Sequence, residues 1–102
     1  MNIAHVVHGT YSSFRVFTAE NKNAELLLKI LNDSIRVSLI QGSTDLELIL
    51  SLLVSKFENN LQNNWTALNI THVDALQLQD TLNTAIIECL VAVAKRESYE
   101  PN

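Results

Sequence analysis

Apolar residues fall along this chain in two regimes. Up to residue 42 they come in short runs parted by polar punctuation. Beyond that they recur at spacings of three and four over long stretches. The first regime reads as strands and the second as helices.

Asn2 to His8 is rich in Ile and Val and alternates in part, which predicts a first strand. Gly9 to Ser13 supplies turn residues. Phe14 to Ala19 predicts a second strand, with Phe14, Val16 and Thr18 on one side and Arg15 and Phe17 on the other. Glu20 to Asn23 fits a hairpin loop. Ala24 to Leu31 is open to two readings. A helix there would bury Ala24, Leu27, Leu28 and Leu31; a strand would bury Leu26, Leu28 and Ile30. Leu, Lys and Glu favour helix, but the run of about eight residues is short for one. The dipeptide Asn32-Asp33 then leads into Ile35 to Ile40, a clean alternating run, so the pair resembles a hairpin. Strand is therefore preferred for 24–31.

Gly42 to Asp45 ends this region and opens a helix to about Leu61. Ser43 or Thr44 can cap it, and Asp45 and Glu47 suit its positive end. Leu46, Ile49, Leu50, Leu53 and Phe57 form its core face. Trp65 and Leu68 anchor the following loop. Thr71 and Asp74 then have the spacing of a capping box, with Asp in place of the usual Glu. A final helix runs to Glu97. Ala75, Leu78, Leu82, Ala85, Ile86, Cys89, Leu90 and Val93 lie on one face, and Ile87, Val91 and Ala94 widen it. Gln77, Thr81, Thr84 and Glu88 form a polar stripe opposite.

The expected fold is α+β. An antiparallel meander of three or four strands precedes two long helices packed on one of its faces, in the order ββββαα. Residues 1–102 form one domain, with sheet at 1–42, a helical hairpin at 43–97 and a flexible tail at 98–102.

Composition adds to this picture in three ways. Charged residues are only 18% of the chain against 47% apolar, so surplus apolar surface and self-association are expected. The net charge of −4 is unevenly spread. Residues 43–94 hold Lys56 against Asp45, Glu47, Glu58, Asp74, Asp80 and Glu88, a balance of −5. That is the reverse of a nucleic-acid-binding footprint. The single cysteine excludes an intrachain disulfide and a cysteine metal cage, and no apolar run reaches membrane-spanning length. A cytoplasmic protein without membrane contact is expected.

Catalytic signatures are missing. Two glycines cannot build a phosphate-binding loop. His5 and His8, three apart on a strand, would face opposite sides. His72 opens the last helix, where its charged form is disfavoured. Cys89 sits in the most apolar part of the chain and reads as a small core hydrophobe. No catalytic residue, metal ligand or cofactor site is expected.

The sequence thus points to a non-catalytic protein–protein interaction module, homodimeric and acidic. In its sharper form Asp45, Glu58, Asp74 and Asp80 dock on a basic, nucleic-acid-binding partner, in the manner of an inhibitor or immunity protein. An alternative places single-stranded nucleic acid on the outer sheet face, where Arg15, Phe17, Lys29 and Arg36 would stand together. Another is a small enzyme whose site forms at a subunit junction from His5, His8 or His72.

Overall fold

Two residues into the chain, the Asn2 side chain accepts a hydrogen bond from the Ala4 amide at 2.9 Å. That bond starts a helix where a strand was expected. The computed structural model describes residues 2–40 and 42–99, with side chains up to Arg96. Among them there is no strand. The elements are α1 (Ile3–Phe17), α2 (Ala24–Leu39), α3 (Leu46–Asn63), the single turn α4 (Trp65–Leu68) and α5 (His72–Tyr99). The α+β expectation, with its meander at 1–42, is therefore corrected to an all-helical bundle. The expected tail falls partly on 100–102, outside the described residues.

In α1 the buried positions are Val6, Val7, Thr10 and Phe14, one stripe of a helix. Thr10 does not breach the core, because its hydroxyl donates to the Val6 carbonyl one turn back at 2.8 Å. Gly9, expected in a turn, lies inside the helix. A Cβ there would collide with the Cys89 sulfur, so glycine is what lets α1 and α5 approach.

The two expected strands at 24–31 and 35–40 are one continuous helix, α2. Asn32 and Asp33 make no turn; they occupy its exposed side. Leu27, Ile30, Leu31, Ser34, Ile35 and Ser38 face inward. The hydroxyls of Ser34 and Ser38 donate to the Ile30 and Ile35 carbonyls, each at 2.7 Å. Gly42 turns the chain toward α3 with φ of 65°, a left-handed geometry suited to glycine. Asp45 is the cap of α3, accepting from the Leu48 amide at 3.3 Å. Ser43 supports it from outside by accepting from the Asp45 amide.

α3 buries Ile49, Leu53, Phe57 and Leu61. α4 is stopped by Asn69 in the left-handed region, φ 49° and ψ 51°. Leu68 is buried there, and its carbonyl accepts from the Asn23 side chain at 2.9 Å, which ties this turn to the α1–α2 loop. The capping box of α5 forms in full. Asp74 accepts from the Thr71 amide at 2.9 Å, and Thr71 accepts from the Asp74 amide at 3.2 Å.

α1 packs along α5 and α2 along α3, while α1–α2 and α3–α5 contacts close the ring. α1 and α5 run antiparallel: Cys89 meets Val6 near the start of α1, and Phe17 at its end faces Asp80 and Thr81. Phe14 and Phe57 meet edge to face across the centre, with ring centroids 5.4 Å apart. No buried side-chain nitrogen or oxygen among the described residues lacks a hydrogen bond. The molecule measures 50 × 30 × 19 Å. Its long axis is set by α5, whose 28 residues extend about 42 Å.

Candidate interaction surface

α5 has two apolar sides. Its inner side is Ala75, Leu78, Leu82, Ala85, Ile86 and Cys89, all buried. At 100° per residue, Val73, Leu76, Ile87 and Val91 project from the opposite side. They are 61%, 46%, 61% and 48% exposed. Asp80 and Asn83 interrupt this outer line at its middle, both exposed. Thr84 and the exposed ring of Phe17 flank it, lining a shallow cleft with Asp80 and Thr81. The polar stripe expected on α5 therefore flanks this line and does not occupy the pole opposite the core.

A second apolar region lies at the turn between α2 and α3, where Val37, Leu39, Ile40 and Leu48 are exposed. Leu39 also closes a cleft of about 370 Å³ between α1 and α2, with Ala4, Val7, Tyr11 and Ile35 as its apolar walls. This region is assembled from the ends of two helices, whereas the outer line of α5 lies along one.

The four expected acidic residues are all exposed but do not form one cluster. Asp45 caps the start of α3, and Asp74 caps the start of α5, past the other end of α3. Hydrogen bonds from the Thr71 backbone and hydroxyl hold the Asp74 carboxyl below its ordinary value, helped by the charge of Lys22. Both aspartates thus have a structural use. Glu58 stands on α3, and Asp80 is the only one of the four on the outer line of α5.

The sheet face proposed for Arg15, Phe17, Lys29 and Arg36 does not form, because these residues lie on α1 and α2. All four are exposed. Lys29 and Arg36, seven apart, share a side of α2. Arg15 and Phe17, two apart on α1, point away from each other. The basic-aromatic platform dissolves with the strands that would have built it.

The histidines move as well. His5 and His8, on opposite faces of a strand, become neighbours on a helix. They line a groove of about 480 Å³ between α1 and α5 with Ser12, Glu88, Cys89 and Arg96. The Cys89 thiol donates to the Val6 carbonyl at 3.2 Å. Burial pushes its pKa upward, more than hydrogen bonding with Thr10 pulls it down. It is therefore held as a thiol and not as a nucleophilic thiolate. His72 is far away at the start of α5, stacked on Trp65 with centroids 6.3 Å apart. No three His, Cys, Asp or Glu side chains among the described residues are grouped to hold a metal. No described helix is long and apolar enough to cross a membrane.

Compared with known proteins, the chain matches no family model, no curated protein and no solved structure. Its own surface is then the guide to its role. The outer line of α5 was half legible in the sequence. Ile87 and Val91 stand out, but as a widening of the core face. Val73 and Leu76 escape notice unless positions are read at intervals of seven: Val73, Asp80, Ile87 and Ala94, then Leu76, Asn83 and Leu90.

Proposed function

We propose that this is a cytoplasmic, non-catalytic protein–protein interaction module that docks through the outer side of α5. The observation that carries this reading is the line Val73, Leu76, Ile87 and Val91, two apolar pairs either side of Asp80 and Asn83, exposed on a helix whose opposite side is already buried. A folded domain gains nothing from apolar side chains held in water, and aligned ones of this kind mark association. Homodimerisation accounts for such a line, and so does a second protein with an apolar helix. The −5 balance of residues 43–94 favours approach by a basic partner and acts mainly on the association rate.

A photo-crosslinking side chain placed at Thr84 tests this, with one at Glu47 on α3 as the comparison. Both positions are exposed. Thr84 is expected to give protein adducts, to itself or to another chain, that disappear on Ile87→Lys. Equal yields from the two positions, or none from Thr84, would remove the reading.

A further inference from the structure

The outer side of α5 has an order that suits one occupant. Two sets of positions recur every seven residues: Val73, Asp80 and Ile87, and three residues further on Leu76, Asn83 and Leu90. This is the seam pattern of a two-stranded coiled coil. Here the seam faces away from the bundle, save for Leu90, which is half-buried. The two sets are mirror images about the point between Thr81 and Leu82. Apolar, polar, apolar reads the same in either direction.

We infer that this face pairs with the same face of a second copy, antiparallel, with the two-fold axis beside Thr81 and Leu82. The inference rests on the interaction-module reading above and specifies its partner. In that register Val73 packs on the partner's Leu90 and Leu76 on the partner's Ile87. Asp80 lies opposite the partner's Asn83, whose amide can donate to the carboxylate. Residues 72–91 then run side by side for about 30 Å. Competing arrangements fail on charge and solvation. A parallel, in-register pair sets Asp80 against another Asp80. An antiparallel pair slipped by seven residues sets Asp80 against Leu76 or Leu90, leaving a carboxylate in an apolar layer without a donor. Only the unslipped antiparallel pair matches apolar with apolar and polar with polar without setting like charges face to face. The matched polar layer fixes orientation in the way a single buried polar layer does in other coiled coils. Three exposed apolar side chains from each copy, Val73, Leu76 and Ile87, with the remaining edge of Leu90, make a small seam, so the dimer is weak and reversible.

The test combines sedimentation equilibrium with cysteine pairing. Wild type should dimerise reversibly, and Ile87→Asp should raise the dimer dissociation constant at least about tenfold. In a Cys89→Ala background, a Leu76→Cys chain mixed with an Ile87→Cys chain should form a mixed disulfide in preference to either like pair. Asp80→Cys chains should not join to one another. Circular dichroism checks that each variant keeps its helices. A monomer at about 200 µM, a concentration that populates any dimer with a micromolar dissociation constant, overturns the inference. So does preferential coupling of Asp80→Cys chains, which would mean a parallel pair. If wild type is monomeric while Thr84 crosslinks to a different protein, self-pairing falls and the module reading stands. If it is monomeric and Thr84 yields nothing, both fall.

Discussion

The inner and outer sides of α5 carry similar side chains and meet different surroundings. Leu82 and Ile86 are buried in the core on the side of α5 that meets α1 and α3, while Leu76 and Ile87 look into solvent. One helix thus separates what an apolar residue does for folding from what it offers to a partner. The difference teaches that hydrophobicity alone assigns no role; position around the helix axis does.

The contrast can be broken most sharply from the inside. Leu82→Ala should cost about 3 kcal/mol in urea unfolding, as loss of a fully buried leucine in a helical core does. A cost below about 1 kcal/mol would mean the inner side of α5 is not part of the core. Gly9→Ala probes the closest approach to that side. Helix propensity alone would stabilise it by about 1 kcal/mol, but the new methyl meets the Cys89 sulfur. The net effect should be a loss of about 1 kcal/mol from overpacking. In a Cys89→Ala background the sign should reverse, because the nearest remaining atom, the Cβ of residue 89, stands at 3.4 Å. Additivity of the two substitutions would show that the helices do not meet there.

Thr71→Ala removes the cap from which both sides of α5 begin, at a cost of about 1 kcal/mol. The same box has a pH signature. Asp74 is held below its ordinary pKa in the folded state, so its contribution is complete above that ordinary value. It is lost as pH falls through the lower folded value. Thr71→Ala removes the hydroxyl and keeps the backbone amide that donates to Asp74, so it should flatten that part of the acid limb of stability only partly, as read by chemical unfolding at several pH values. The smallest effect is expected outside. Ile87→Asn should change the stability of the dilute monomer by less than about 0.5 kcal/mol, as surface substitutions do. A large loss there would place Ile87 in the core and erase the distinction between the two sides.

The second half of the fold was legible because its periodicity is long and unbroken. The Thr71–Asp74 box, the inner face of α5 and most of the inner face of α3 are as expected from spacing. The first half was misread for identifiable reasons. Ile3, Val6, Val7 and Thr10 have side chains common in strands, but strand preference reflects packing context more than backbone preference. Here that context is a bundle. Gly9 imitates a turn until its contact with Cys89 is known, and that contact lies 80 residues away. At 24–31 the short apolar run is no bar to a helix, because α2 continues through Asn32-Asp33. The buried Ser34 and Ser38 hid the inward stripe, since their hydroxyls look polar in sequence yet bond within their own helix. For the candidate surface, composition signalled surplus apolar area and not its place. The acidic residues were visible as charge, but not that Asp45 and Asp74 are engaged as caps.

The hydroxyls of Thr10, Thr18, Ser34 and Ser38 all return to carbonyls of their own segment three or four residues back. Only two of the four also engage another helix: Ser34 receives the Asn60 amide, and Thr10 shares hydrogen bonding with Cys89. Where helices meet is therefore dictated by contour far more than by matched polar partners. Distant kin would exchange threonine for valine or serine for alanine at such places and still assemble alike. Ancestry in such a lineage would persist in shape long after the letters had drifted apart.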